Sequence, residues 1–263
     1  MGNANPIIWI IRPKVYLVGG SGVSHGEVHQ FLDDHDVPGW STEAPSDGEY
    51  LAEMAGRLCY MSFANPRPGG NKAYLGHILE VGHGSVLEHA VWNFIFTGVS
   101  RSLTHELVRH RVGFSYSQLS QRYVDESVAE YVEPDCIAND PIAHAEWLTG
   151  IQASHKAYVS LVAKLEAQFA DEPDKTARRK RAREAARSVL PNATETKIFV
   201  TANARALRHF IELRGSRHAD AEIRKLALAV LRIMQKEAPN IFGDYELAET
   251  GGITEAVTKH GKV

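Results

Sequence analysis

Cysteine is almost missing from this chain. Cys59 and Cys136 are the two present among 263 residues, too few for a disulfide framework, and nothing points to an oxidising compartment. Neither sits where a thiol is activated, which takes a cationic neighbour or a helix N-terminus. Cys59 falls late in a predicted helix between Leu58 and Tyr60 and reads as a core residue; Cys136 falls in a Pro-Asp-Cys loop. Long apolar runs are missing too. The run Pro6-Ile-Ile-Trp-Ile-Ile11 is too short to span a bilayer, and it lacks the basic flank and small-residue cleavage site of a signal peptide. A cytoplasmic location is expected. Positive charge is not in excess: the formal net charge is −3, which gives no electrostatic reason to expect nucleic-acid or anionic-membrane binding. No internal repeat, low-complexity tract or linker stands out.

What is present is ordinary in bulk. Hydrophobic residues make up 44% and charged residues 23%, the balance of a soluble protein with a substantial core. Lys14–Val18 predicts a short strand, broken by Gly19-Gly20-Ser21-Gly22. Residues 24–46 are polar and show no clear period, so they read as a peripheral excursion. Leu51, Met54, Ala55 and Leu58 predict a helix over Glu49–Tyr60, and a second spans Tyr74–Val81 before Gly82. Ser85-Val-Leu-Glu88 has the spacing of a capping box. Ala90–Phe96 predicts a buried strand closed by Thr97-Gly98. A helix over Ser100–Arg111 follows, with Gly113 as its stop. Further helices are predicted over 142–169, 175–190, 204–213 and 216–237, with a β-branched strand at Lys197–Ala202. The fold class expected is α+β, a single domain with a central, mostly antiparallel sheet flanked by helices.

One segment departs from this plainness. Arg109-His110-Arg111-Val-Gly-Phe-Ser-Tyr-Ser-Gln-Leu-Ser-Gln-Arg122-Tyr123 packs cations, hydroxyls and amides into fifteen residues. Guanidinium forks bind phosphate in pairs, and hydroxyls and amides read a base edge. A core does not accept so many donors without partners. The segment is therefore a binding site or its rim. In the helix before it, Arg101, His105 and Arg109 are spaced by four. A solvated basic face accounts for Arg101 and His105, but not for Arg109 through Arg122.

Other constellations carry less. His83, Glu88 and His89 match no zinc spacing, so Glu88 is expected to cap and no metal site is expected. Gly19-Gly-Ser-Gly22 lacks the second strand and distant acid of a dinucleotide fingerprint and reads as a surface turn. Arg178-Arg-Lys-Arg181, with Lys175 and Arg183, spreads round a helix and reads as solvated surface; Arg187 closes an apolar turn and stands apart.

Several ordered motifs resemble the flavin-dependent thymidylate synthases, whose signature is Arg-His-Arg, a spacer, then Ser-x-Arg. Here these are Arg109-His110-Arg111 and Ser120-Gln121-Arg122. Gly82-His-Gly-Ser-Val-Leu-Glu-His89, Arg183-Glu-Ala-Ala-Arg187, Thr201-Ala-Asn203-Ala-Arg205-Ala-Leu-Arg-His209 and His218-Ala-Asp-Ala-Glu-Ile-Arg224 resemble its other elements. The spacer Val112–Leu119 is one residue longer than the family's usual one, an addition that a glycine at Val112-Gly113 can absorb. The resemblance implies the family's fold, with a core over 49–245, an N-terminal extension with the first strand over 1–48 and a C-terminal tail over 246–263. It implies FAD held by Ser85, Arg109, His110, Arg111, Gln118, Asn203, Arg205 and His209. It implies dUMP surrounded by Glu106, Arg109, Gln118, Leu119, Ser120, Gln121, Arg122 and Arg187, the last two at its phosphate, with Arg214 at the uracil as the catalytic residue. Ser85 is expected to double as a helix cap.

The activity so implied is methylation of dUMP to dTMP, with methylenetetrahydrofolate as carbon donor, NADPH as reductant and no cysteine nucleophile. A homotetramer with shared active sites is implied as well, with no nucleic-acid or membrane partner. Two rival classes stand beside this. A non-catalytic flavin or nucleotide binder would hold flavin without making dTMP. A nucleic-acid module built on the Arg178 helix would show steeply salt-dependent binding.

Overall fold

Strands and helices alternate along a chain whose computed structural model describes residues 12–37 and 39–263. The apolar run at residues 6–11 lies outside the described residues. In order the elements are β1 (Lys14–Gly20), α1 (His25–Asp34), α2 (Asp47–Leu58), α3 (Gly70–Val81), β2 (Val91–Ser100), α4 (Arg101–Leu107), β3 (Phe114–Gln118), α5 (Asp135–Ala138) and α6 (Pro141–Gln168). Then come α7 (Lys175–Ala186), β4 (Glu195–Asn203), α8 (Ala204–Arg214), α9 (Ala221–Glu237), α10 (Pro239–Phe242), β5 (Glu246–Thr250) and β6 (Ile253–Val257). Four strands form a sheet in the order β1-β2-β4-β3. Ser21 N bonds to Val91 O, Thr201 Oγ1 donates to Asn93 Oδ1, and Asn203 N bonds to Gly113 O while Leu119 N bonds to Lys197 O. In each pair, rising numbers on one strand meet falling numbers on the other, so every pairing is antiparallel. The fold class is α+β, as expected.

The described chain divides into two compact units. The first comprises Phe96–Val108 and Ser117–Ile198 with the described residues up to Lys14; the second comprises Val15–Ile95, Arg109–Tyr116 and Phe199–Val263. In the first unit α6 packs along α7, and Leu103, Leu107, Tyr131, Tyr158, Ala182 and Ala186 are buried. The long α6 begins at Asp140, whose carboxylate accepts from the backbone N–H of Ile142 and Ala143, with Pro141 at the first turn. In the second unit α8 and α9 pack together and bury Leu207, Phe210, Ile211, Ile223, Leu226 and Leu231. No described helix is long and apolar enough to cross a membrane.

Several expectations are corrected. Residues 24–46 contain α1, whose Val28 and Leu32 are buried in a cluster with Trp40 and Phe63; two apolar positions one turn apart were hidden among His and Asp. Gly19 and Gly20 are not a surface turn but part of β1, where a Cβ on Gly20 would lie 3.0 Å from the Trp92 ring. Thr97-Gly98 continues β2 instead of closing it. The helix expected over 100–111 stops at Leu107, and the strand β3 follows, its apolar alternation masked by serines. Residues 246–263 are not a plain tail: Thr250 pairs with Ile253 across Gly251-Gly252, both at positive φ, which is the backbone that a two-residue hairpin requires. Cys59 is exposed at the end of α2 and is no core residue.

A buried polar network holds α2 in the second unit. Glu53 accepts from Arg57 Nε at 2.7 Å, from Asn71 Nδ2 at 2.8 Å and from Thr42 Oγ1 at 2.6 Å. Glu53 and Arg57 are both almost fully buried. Removing one member strands the other charge, so Glu53→Ala should destabilise the fold by about 3 to 5 kcal/mol in guanidinium unfolding. A loss below about 1 kcal/mol would show that water reaches and screens Arg57.

Candidate functional site

In the first unit, the predicted nucleotide residues gather around the start of α4. Ser100 caps this helix, its side chain accepting from Leu103 N at 3.0 Å, and Arg101 N bonds to Thr194 O. A cavity of about 410 Å³ is lined by Arg101, His105, Gln121, Glu184, Arg187 and Ser188 among others. Arg187 enters it because α7 ends at Ala186 and a short 3-10 turn, Arg187–Val189, follows. Gln121 is only 6% exposed. Of the residues expected around dUMP, the structure brings Gln121 and Arg187 to this cavity. Arg122 does not line it; its guanidinium stands 3.7 Å from the Glu184 carboxylate, which does. Ser120 Oγ accepts from Arg122 N at 3.4 Å. Gln118 turns its amide nitrogen to Thr104 and Thr196, at 3.1 and 3.3 Å. Leu119 is tied through its backbone to Lys197, and Glu106 is half-exposed on α4.

Two sequence readings of this unit need correction. Arg101 was grouped with a solvated face, yet it is half-buried, donates to Leu119 O at 3.5 Å and lines the cavity. The α7 cations are not uniformly solvated either: Arg183 donates to Tyr123 O and Asp125, both at 2.9 Å.

In the second unit, α8 carries three of the predicted residues. Asn203 caps it, accepting from Ala206 N at 2.8 Å, and Arg205, His209 and Arg214 follow along the helix. The turn over Arg111–Phe114 presses against this cap. Gly113 has φ +73°, and a Cβ there would lie 2.7 Å from both Ala206 Cβ and Asn203 Nδ2; only glycine fits on both counts. That contact brings His110 to Arg214, whose Nε donates to His110 Nε2 at 3.1 Å. His110 is 9% exposed and lies among rings, with Phe210 edge-on at 5.3 Å and His209 at 6.1 Å. Burial first, then the Arg214 charge and His209, lower its pKa to about 4. A cavity of about 370 Å³ opens here, lined by Arg109, His110, Arg111, Phe114, His209 and Arg214, with Val112 and Leu213.

Ser85 and Arg205 lie elsewhere in the second unit. The capping box expected at Ser85 is not formed: Gly84–His89 is a 3-10 turn preceded by His83, with no side-chain cap. Its chain reverses too tightly for an α-helical start. Glu88 pairs instead with Arg205 at 2.7 Å, and Ser85 is exposed. Arg109, placed on a helix face by its spacing, lies beyond the end of α4. Sequence reasoning missed Phe114 and Leu213 as cavity walls, because apolar residues beside a cationic motif were read as dilution. The larger cavity of this unit, about 800 Å³ and bordered by Lys72, Asn240, Asp244 and His260, holds none of the predicted residues. Volume does not make it the site: its Asp244 already binds Arg208 and Thr258.

Guanidiniums gathered on two cavities, with amides, imidazoles and aromatic walls, define a protein that handles planar anionic ligands. The comparisons agree. The family model described as thymidylate synthase complementing protein matches residues 42–240. A flavin-dependent thymidylate synthase of Mycobacterium avium is 53% identical over 230 residues, covering 87% of this chain and 91% of that protein. Those of Mycobacteroides abscessus and Mycobacterium tuberculosis are 55% and 52% identical over 86% and 87% of this chain, covering 90% and 91% of theirs. This chain belongs to the flavin-dependent thymidylate synthase family, a family of methyltransferase-type enzymes.

The low pKa of His110 has a checkable consequence. A histidine that titrates below its unfolded value of about 6.5 adds stability above that pH, and this stability is lost as pH falls from 6.5 towards 4. By imidazole NMR, His110 should stay neutral down to about pH 5, and Arg214→Ala should raise its midpoint. An unchanged midpoint would mean that burial alone sets it.

Proposed function

We propose that this chain methylates dUMP to dTMP, with FAD as bound cofactor, methylenetetrahydrofolate as carbon donor and NADPH as reductant. The observation that carries the proposal is the Arg214–His110 pair on a cavity walled by the other two residues of the Arg-His-Arg motif. The names of the relatives, which give flavin dependence and thymidylate synthesis, support it.

The residues fit a flavin. Arg109 and Arg111 bring charge suited to its phosphates, and Phe114 and Leu213 an apolar wall suited to a ring system. His110 and His209 complete this cavity, and Ser85, Gln118, Asn203 and Arg205 are the remaining residues assigned to the cofactor. When bound, the flavin supplies hydride chemistry that no side chain can. The chain's own part is binding and electrostatics. Arg187, Arg122, Ser120 and Gln121 hold the nucleotide phosphate, and Glu106, Leu119, Gln118 and Arg109 surround the rest of dUMP. Arg214 presents a fixed cation to the uracil and favours its ionisation at N3. His110 accepts a hydrogen bond from Arg214 while neutral, so it orients the guanidinium without cancelling its charge. We take 49–245 as the catalytic core, a homotetramer with shared sites as the working assembly and the cytoplasm as its location.

Purified protein given dUMP, methylenetetrahydrofolate, NADPH and FAD should form dTMP, and omitting FAD from stripped protein should abolish it. Flavin bound and reducible without dTMP would mark a redirected member of the family. Arg214→Ala should lower kcat by about a hundredfold or more, the usual cost of a lost electrostatic donor, while FAD still binds; wild-type turnover would remove it from catalysis. Both cysteines are exposed and free, and the Cys59→Ser, Cys136→Ser double variant should keep its rate. A dead but folded double variant would restore a thiol mechanism.

A further inference from the structure

The first unit's cavity has two guanidiniums on its wall, and the reading above uses one of them. We propose that Arg101 is a second phosphate-binding residue, gripping the dUMP monoester together with Arg187. This rests on the dUMP reading.

The backbone holds Arg101 in place. Its N–H bonds to Thr194 O at 3.0 Å, and its carbonyl accepts from Thr104 Oγ1 at 2.9 Å. The guanidinium makes one long hydrogen bond, to Leu119 O at 3.5 Å, and otherwise borders the cavity with Arg187, His105, Gln121 and Ser188.

Charge balance then asks for an anion. The ion pairs of this unit join Arg122 to Glu184, Arg183 to Asp125, His144 to Glu133 and Lys197 to Glu195. Among the described residues, neither Arg101 nor Arg187 has a carboxylate within 4.0 Å. Burial and the neighbouring Arg187 both work against the charged form of Arg101, and Glu126 is the group that favours it. Glu126 is 5% exposed, and one of its carboxylate oxygens has no hydrogen-bond partner. It therefore balances Arg101 through the interior without capturing the guanidinium. Two like charges facing one half-buried cavity repel unless a shared counter-ion sits there. A phosphate monoester fits: it carries close to two negative charges at neutral pH and offers three acceptor oxygens to forked donors.

The test is calorimetric titration of FAD-loaded wild type, Arg101→Gln and Arg101→Lys with dUMP and, separately, with deoxyuridine, which lacks the phosphate. Arg101→Gln should weaken dUMP by on the order of tenfold to a hundredfold, the range for a lost charge-assisted hydrogen bond, and leave deoxyuridine unchanged. Arg101→Lys should recover part of the loss, since the charge returns but the fork does not. An affinity for dUMP within twofold of wild type, or equal weakening of both ligands, would overturn the assignment. If the wild type binds no dUMP, the dUMP reading itself fails. Inorganic phosphate titrated into the same proteins then decides the matter for Arg101: weaker binding by Arg101→Gln upholds an anion site, and equal binding ends it.

Discussion

The contact between Gly113 and the start of α8 is the constraint on which the second unit's site depends. A glycine at positive φ lets the 111–114 turn approach Asn203 and Ala206 more closely than any side chain would allow. Asn203 serves both partners, capping α8 with its side chain and bonding to the Gly113 carbonyl with its N–H. Because the helix start and the turn are locked together, His110 meets Arg214, which lies nearly three turns along α8. The site is thus built from one strand-to-helix junction and one turn, both short-range structures with little freedom to drift.

Arginine plays two roles in this protein, and its partners tell them apart. Arg57 and Arg208 are deeply buried and each is matched by a carboxylate, Glu53 and Asp244. Such pairs hold parts of the fold in register and are costly to break from one side. Arg101 and Arg187 keep their charge at a cavity wall without a carboxylate partner of their own. A folded chain tolerates that arrangement where a ligand brings the missing charge. The distinction is drawn from geometry and needs no motif.

The sequence read well where one signal acted alone. The helical stripes of α2, α6 and α9 and the β-branched run of β4 were legible from period, and the density of donors at 109–123 marked a binding region. The misreadings share a cause: two signals occupied the same residues. In α1, Val28 and Leu32 were masked by polar neighbours. At Arg101, a four-residue spacing extended a helix that ends at Leu107, turning a cavity arginine into an apparent surface charge. At Ser85, the capping-box pattern was present but the backbone took a 3-10 turn, so Glu88 was released to Arg205. Residues drawn together from distant segments, such as Arg187 with Gln121, carried no local signal; only the resemblance joined them.

Val112 sits at the tip of the turn before Gly113 and is 87% exposed. A spacer residue accommodated there projects into solvent and leaves both anchors, the Gly113 contact on one side and β3 on the other, where they are. The length of this loop is therefore a poor ruler for recognising such proteins. A search pattern that fixes the count between the arginine triplet and the serine would discard this chain, whereas one that demands the glycine would keep it.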